Sequence, residues 1–490
     1  MSEKNSYKKL MSNTIVFAIG SFSSKILTFL LVRLYTGVFS ESQFGLSDNL
    51  MKAGNWLFPL LTLSVCEAIF RYGLEESYDK AKVFSIGNTV VFGGIAVLLI
   101  AVPIVNRLPV IHKYIGDYIW FLFLFVMMAN IKSLYANFVC SLRKVKLFAF
   151  NGILTTVLTV VFSVLFLVVF DLGVAGYMLA TILSDFISIV FLTIAAKLWK
   201  YYTLSFLKKS KNPFDNGLAG AMLKFCIPLM PAQILWLITD SSDSFMVTHY
   251  LGQSYTGILA ASYKIANLVT TVYMIFSPAW NMSAITENDN DERSTFYTNV
   301  FNINQTILYM TCGGILLIIK PFILSNLWIE SKFSSAVLYS PGLVLATVFT
   351  CFTTFLGAIY VATKKTKNSF FTIIVAAVLN IGINIVLIPR IGIYGAVIST
   401  LVAYFVAFVI RSIDARKLIR FDIKVKKIIV NCSLLSIMTL ANRIDGALCY
   451  VILGTCYAII IVINYTCLLR LARMILPKKL QRFVPLINKF

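Results

Sequence analysis

Long apolar runs alternate with short polar and basic connections along almost the whole chain of 490 residues. A helix that crosses a bilayer requires roughly 20 mostly apolar residues. The pattern therefore predicts an all-α integral membrane protein with about 14 transmembrane helices. The predicted spans are residues 13–39, 44–70, 84–105, 118–142, 148–170, 174–198, 223–248, 255–282, 300–319, 337–362, 370–388, 393–409, 428–441 and 446–469.

Two sequence matches indicate that the first six predicted spans repeat as the next six. In one match, glycines recur at an offset of 219 residues: Gly173 and Gly176 against Gly392 and Gly395. In the other, three residues recur at an offset of 212: Gly45, Lys52 and Asn55 against Gly257, Lys264 and Asn267. Because six is even, both halves have the same orientation and are related by an axis along the membrane normal. Transporters with this pattern bind substrate between the halves, near the midplane.

The repeat predicts four segments. Residues 1–200 form an N-terminal six-helix lobe, 201–222 a basic cytoplasmic linker and 223–417 a C-terminal six-helix lobe. Residues 418–490 add two further transmembrane helices and a basic tail.

Composition and charge support the membrane assignment. The chain is 59% hydrophobic and 13% charged, whereas soluble proteins are about 45–50% apolar and about 25% charged. This excludes a soluble enzyme domain, a disordered chain and a secreted disulfide scaffold. The net charge is +22, and 32 of the 43 Lys and Arg residues fall on loops of one side, against 6 on the other. The positive-inside rule then predicts cytoplasmic termini and accounts for the charge without nucleic acid.

The sequence offers no catalytic or metal motif. There is no nucleotide-binding loop, zinc-protease motif or nucleophile elbow, and the nine cysteines all lie inside apolar runs. The loops are too short to hold a catalytic domain. We therefore expect no enzyme activity, no metal and no cofactor beyond a coupling H⁺ or Na⁺.

Charged residues within spans cost about 2.5–3.5 kcal/mol each and are the first functional candidates. Lys25 and Arg33 lie eight residues apart on span 1, about 80° around the helix, and are expected to line a watery cavity. Asp48 and Lys52 are spaced to pair on one helix face, and Glu67 and Arg71 repeat that spacing.

Span 7 carries the most polar patch of any span. Asp240 and Asp243 share one of its faces, with Gln233 and Trp236 on the same segment. Three roles remain open for the aspartates: ion or proton coupling, a salt bridge between the lobes that includes Lys264, and direct contact with substrate. Two roles are equally open for Lys132 and Asp185: structural pairing and a direct function.

A diffuse motif set accompanies this architecture. It consists of Asn13, Tyr35–Thr36, Ser40, Gln43–Gly45, Asp48, Ala68–Tyr72 and the Gly173-x-x-Gly176 turn. On these residues the full chain resembles the polysaccharide transporter branch of the multidrug/oligosaccharidyl-lipid/polysaccharide (MOP) flippase superfamily, whose members move O-antigen or capsule repeat units.

The resemblance implies a MATE-like MOP fold: two pseudo-symmetric six-helix bundles plus two C-terminal helices. It implies a flippase that moves undecaprenyl-pyrophosphate-linked oligosaccharides to the outer leaflet by alternating access, for polysaccharide biosynthesis. The resemblance also implies a multi-pass monomer in the bacterial cytoplasmic membrane. Its implied partners are the lipid-linked oligosaccharide, membrane lipids and polysaccharide assembly proteins. The residues expected to bind the pyrophosphate are Lys25, Arg33, Lys52, Arg71 and Lys264, and those expected to contact sugar are Trp236 and Gln233.

Three other functions compete with this one. A MATE-type cation-coupled drug antiporter has the same fold and is favoured by Asp240 and Asp243, but the excess of cations within spans argues against it. A flippase for teichoic-acid or peptidoglycan precursors differs only in cargo. A membrane polymerase or ligase is disfavoured because the outer loops are short.

Overall fold

The computed structural model describes residues 31–203, 217–227, 229–286, 293–326, 328–363 and 365–475. These residues are helical with short connections and contain no strand. They form two compact units, one up to Ala260 and one from Ala261 onward. The first unit includes helices from the predicted C-terminal lobe, and the predicted lobe boundaries stay a prediction.

The first unit contains the helices α1 to α10 and the start of α11. Helix α1 is described over residues 31–38, so most of predicted span 1, including Lys25, lies outside the described residues. The helices that follow are α2 Glu41–Thr62, α3 Val65–Leu74, α4 Lys80–Val105, α5 Pro109–Ile115, α6 Ile119–Ser141, α7 Val145–Val164, α8 Gly173–Ala196, α9 Leu218–Cys226 and α10 Leu229–Tyr250.

The second unit contains the remainder of α11 and the six helices after it. Their bounds are α11 Gln253–Thr286, α12 Arg293–Leu324, α13 Ala336–Ala362, α14 Thr366–Ile391, α15 Ile393–Leu418, α16 Val425–Ala441 and α17 Ala447–Ile475.

Ten helices in the described residues are long and apolar enough to cross a membrane, and the bent pair α2–α3 makes an eleventh. They are α4, α6, α7, α8, α11, α12, α13, α14, α15 and α17. Predicted span 7 corresponds to helix α10 and predicted span 13 to helix α16. Neither is among the ten, because α10 carries the polar patch and α16 has only 17 residues. The predicted all-α, multi-span membrane fold is confirmed.

Helix α2 begins at a capping box and ends at a strained break. The hydroxyl of Ser40 accepts from the backbone N–H of Gln43, and the Gln43 side chain accepts from the N–H of Ser40. Leu63 and Ser64 then adopt φ values of 49° and 58°, a left-handed conformation that costs a residue with a side chain roughly 1–2 kcal/mol. The chain turns by 56° there before α3 begins, so predicted span 2 is a broken helix.

The two Gly-x-x-Gly segments share a left-handed first glycine and a closely packed second glycine. The first glycine has positive φ in both, +53° at Gly173 and +64° at Gly392, a conformation that favours glycine. The second glycine packs on the backbone of the preceding helical segment. A Cβ would lie 2.9 Å from a backbone oxygen at Gly176 and 2.5 Å from a backbone nitrogen at Gly395. The match at offset 219 therefore records a repeated structure.

Aromatic stacking and buried amides hold the second unit together. Trp280 stacks on Phe355 with ring centroids 4.2 Å apart, and its indole N–H donates to the Phe355 carbonyl. Asn464 of α17 donates to the Asn431 side chain of α16 at 2.8 Å and accepts from the hydroxyl of Thr306 of α12 at 3.3 Å. These bonds attach the two C-terminal helices to the bundle.

Candidate functional site

Lys52 and Asp48 form an ion pair on one face of α2. The Lys52 Nζ lies 2.7 Å from the Asp48 Oδ2, and the side chains are 15% and 17% exposed. This confirms the pairing predicted from their spacing of four residues. Both side chains are therefore mostly buried, with a small exposed fraction.

The polar patch of α10 packs against this pair. Ser244 donates to Asp48 at 3.1 Å, and Lys52 donates to the same hydroxyl. One turn away, the Asn49 side chain donates to the Thr248 hydroxyl at 2.7 Å. We call Asp48, Asn49, Lys52, Ser244 and Thr248 the α2–α10 polar cluster. Its hydrogen bonds compensate for placing polar groups among apolar helices.

Of the predicted sugar contacts, Gln233 is engaged at the break between α2 and α3. Its side-chain oxygen accepts from the hydroxyl of Ser64 at 2.8 Å. Trp236, on the same helix, is 48% exposed. An exposed indole is available for stacking, and the Gln233 amide N–H groups can still donate to a sugar while its oxygen holds Ser64. Both sugar contacts stay predictions.

Asp243 is only 1% exposed and has interaction partners in the structure. Asp240 lies on the same helix, α10, and its side chain is outside the described part. The aspartates therefore do lie on one helix beside the polar cluster. Their role in ion coupling or inter-lobe pairing stays a prediction.

The other predicted cations occupy different places. Arg71 ends α3, where its side chain is 59% exposed and lies 3.9 Å from Glu75. Its guanidinium also covers the ring of Phe225 at 4.8 Å. The pairing of Arg71 with Glu67 is wrong, because the arginine reaches toward the end of its helix instead. Arg33 of α1 and Lys264 of α11 are half-buried and have partners.

Lys132 and Asp185 pair across two helices. The Lys132 Nζ of α6 lies 2.5 Å from the Asp185 Oδ1 of α8, and the Asp185 side chain is 4% exposed. The Lys132 ammonium compensates for the negative charge of the nearly buried Asp185 carboxylate. The structure therefore shows the pairing within the first unit, and a functional role for the pair stays open.

Sequence reasoning missed Arg411, which lies two residues beyond the end of predicted span 12. It lies within α15, which continues to Leu418, and is 5% exposed. Its guanidinium donates to the Thr353 carbonyl at 2.7 Å, and to the hydroxyls of Thr372 at 2.8 Å and Ser369 at 3.1 Å. Apolar residues that continue beyond Arg411, such as Ile413, were the available signal.

A second missed feature is a buried amide cluster on α14 and α15. Asn384 donates to Asn380 at 3.2 Å, Ser399 donates to Asn384 at 2.5 Å, and all three are 0% exposed. Asparagines carry no charge, so they did not stand out among the charged candidates. Among the described residues, no group of His, Cys, Asp and Glu is placed to hold a metal ion.

Comparison with known proteins supports this fold through structure alone. No protein-family model and no curated protein sequence matches the chain. The lipid II flippase MurJ in an inward closed conformation matches with a TM-score of 0.68 and 16% identity, over 93% of this chain and 100% of that one. An outward-facing MATE multidrug transporter matches with a TM-score of 0.58 and 15% identity, over 84% and 96%. A MOP superfamily transporter from Pyrococcus furiosus matches with a TM-score of 0.56 and 14% identity, over 84% and 96%.

The chain therefore has the fold of MOP superfamily transporters, which confirms the predicted fold class. These neighbours are two transporters and a flippase. At these identities the likeness defines the fold and leaves the cargo open.

Proposed function

We propose that the protein is a flippase that moves undecaprenyl-pyrophosphate-linked oligosaccharide repeat units across the bacterial cytoplasmic membrane by alternating access. The observation that carries the proposal is the extent of the structural match. The match to the MurJ flippase structure covers 93% of this chain, whereas the match to the MATE structure covers 84%. A flippase thus matches more of the architecture than a drug transporter does.

In this proposal the cations of the first lobe receive the pyrophosphate. Lys25, Arg33 and Lys52 provide positive charge within the span region, and Lys264 adds a further cation. A pyrophosphate carries enough negative charge to compete with Asp48 for the Lys52 ammonium, which is partly exposed. Arg71, exposed at the end of α3, meets the pyrophosphate first from the membrane surface.

The polar face of α10 has the second role. Asp240 and Asp243 couple transport to a proton or sodium gradient, and exposed Trp236 stacks on a sugar ring while Gln233 hydrogen-bonds to it. The proposed setting is a monomer with both termini in the cytoplasm, working with polysaccharide assembly proteins. The excess of cationic loops on one side supports that orientation.

The test is flipping of a fluorescent undecaprenyl-pyrophosphate-linked oligosaccharide in proteoliposomes, with and without a proton or sodium gradient. Wild type is compared with Lys25→Ala, Arg33→Ala and Lys52→Met. We expect each variant to flip at least about tenfold more slowly, since each removes a charge-assisted contact. Lys146→Ala is the matched control, because Lys146 is exposed at the start of α7.

A double variant separates binding from folding. Lys52→Met leaves Asp48 as an uncompensated charge, whereas Asp48→Asn with Lys52→Met removes both charges. If the double variant flips at the wild-type rate, Lys52 does not bind the pyrophosphate. If no lipid-linked glycan is flipped by folded wild-type protein, the flippase proposal fails.

The second candidate function is a MATE-type drug antiporter, favoured by the structural match to MATE transporters and by the acidic face of α10. It predicts export of cationic drugs that is driven by a cation gradient and lost in Asp243→Asn. Flippases for teichoic-acid or peptidoglycan precursors are distinguished in the flipping assay by exchanging the cargo.

A further inference from the structure

A cavity of about 610 Å³ lies in the second unit, where the end of α15 approaches the start of α12. Three cationic side chains line it, Arg416, Lys417 and Arg420, together with Asp422. The distribution of Lys and Arg among the loops predicts that this end is cytoplasmic. The cavity therefore lies at the depth expected for the headgroups of the inner leaflet.

The three cations are not neutralised within the protein. All three side chains are exposed, and none of the ion pairs among the described residues includes Arg416, Lys417 or Arg420. Asp414, the acid next to them on α15, accepts from the Asn368 side chain at 2.8 Å instead. The cavity thus presents exposed cationic donors and net positive charge.

The backbone that carries Arg420 is held firmly in place. The Arg420 carbonyl accepts from the hydroxyl of Ser294 in the first turn of α12. The backbone N–H of Asp422 donates to the Thr298 hydroxyl at 2.9 Å. Alternate residues of this segment are buried, namely Ile419, Phe421 and Ile423. Arg420 and Asp422 are consequently directed outward from a fixed wall, so that a bound group meets preorganised side chains.

An apolar stripe leads from the membrane region of α15 into the cavity. Phe405, Val409 and Ile413 are exposed and spaced four residues apart, so they lie on one helix face. Ile413 is also part of the cavity wall. The site thus joins a surface suited to an acyl chain with a cluster suited to a phosphate.

We propose that this cavity binds the headgroup of an anionic phospholipid, with an acyl chain along the α15 stripe. Arginine side chains hydrogen-bond phosphate oxygens in a bidentate manner, and basic pockets between helices on the cytoplasmic side take anionic headgroups. Asp422 supplies an acceptor for a headgroup hydroxyl, which favours phosphatidylglycerol. The site is independent of the proposed cargo, because its lining residues lie outside the cation set assigned to the pyrophosphate.

The test measures binding of fluorescent phosphatidylglycerol to the purified full-length protein in detergent, against phosphatidylcholine. We expect saturable binding of phosphatidylglycerol that weakens at least about tenfold in the triple variant Arg416→Gln, Lys417→Gln, Arg420→Gln. The matched control is Lys144→Gln, Lys146→Gln, Lys200→Gln, which removes the same charge from exposed residues on the same predicted side and is expected to bind normally. Thermal unfolding without lipid checks that both variants are folded.

Other outcomes overturn the proposal. Equal loss in both triple variants would show non-specific attraction to a basic surface. Displacement by inorganic phosphate or glycerol phosphate at the same concentration as the lipid would show a soluble-anion site. Displacement by undecaprenyl pyrophosphate at a concentration tenfold lower than that of phosphatidylglycerol would show that the cavity is an entry site for the cargo. In the proposed mode, Ile413→Ser weakens binding of long-chain phosphatidylglycerol and leaves binding of glycerol phosphate unchanged.

Discussion

Gly45 of α2 and Gly257 of α11 lie directly against each other, and each occupies the same place in its own half of the repeat. A Cβ on Gly45 would lie 2.1 Å from the carbonyl oxygen of Gln253, and a Cβ on Gly257 would lie 1.9 Å from that of Glu41. Glu41 and Gln253 are separated by the same 212 residues as the glycines. The contact is therefore reciprocal, as expected where a local two-fold axis passes between two helices.

Adding a methyl group at this crossing should destabilise the protein. Gly45→Ala and Gly257→Ala each place a Cβ against a backbone carbonyl that cannot rotate away, and we expect a loss of about 1–3 kcal/mol from each. The double variant should lose less than the sum, because the first substitution already separates the helices. Thermal unfolding in detergent measures the effect. Gly93→Ala on α4 is the control, since no atom lies within 4 Å of its added Cβ, and an equal loss there would refute a steric cause.

Replacement of Arg411 should destabilise the second unit. Arg411→Met leaves the Thr353 carbonyl and the Thr372 hydroxyl without this donor, and we expect a loss of about 2–4 kcal/mol. Arg411→Lys should rescue little, since one ammonium does not reproduce the planar set of donors. The measurement is the detergent concentration that unfolds each variant. Full stability of Arg411→Lys would contradict a role for the guanidinium geometry.

The loop between α16 and α17 should respond to acid. Lys320 lies 2.5 Å from Asp445, and this hydrogen bond lowers the pKa of the Asp445 carboxyl. Because the folded pKa lies below the unfolded one, the pair stabilises the fold above the unfolded pKa. That contribution is lost as the pH falls through the folded pKa.

The comparison is the unfolding temperature of wild type and Asp445→Asn between pH 7 and pH 3. Asp445 is 94% exposed, so we expect a decrease of no more than about 2 °C at pH 7. The difference between the proteins should vanish at the acid end. A difference that grows as the pH falls would contradict the sign of the pKa shift.

The attachment of the C-terminal helices should depend on Asn464. Asn464→Leu removes the donor to Asn431 and the acceptor for Thr306, each worth about 0.6 kcal/mol for a hydrogen bond between membrane helices. We expect α17 to become more accessible to protease while the first unit stays protected. Asn302→Leu is a suitable comparison, because that buried side chain donates to the Thr298 carbonyl of its own helix, α12. Unchanged protection of α17 would show that packing alone holds it.

The features that sequence reasoning recovered depend on local spacing. The length of the apolar runs predicted the helices, and a spacing of four residues predicted the Asp48–Lys52 pair. The positive φ at positions 173 and 392 explains why both positions are glycine. The missed features depend on partners remote in sequence. Nothing near Arg411 in the chain shows that Thr353, 58 residues earlier, will accept from it. The break at Leu63 and Ser64 lies four residues after Pro59, which is inside α2, so the proline did not mark the position at which the chain turns.

The turn at Gly392 has a consequence for how the chain enters the membrane. One residue separates α14 from α15, so the connection is too short for the two helices to insert separately, and we expect them to enter the membrane as a hairpin. The hydrogen bonds among Asn380, Asn384 and Ser399 lie wholly within this hairpin. The amides thus need no later helix as a hydrogen-bond partner, and their transfer into lipid does not depend on the rest of the bundle.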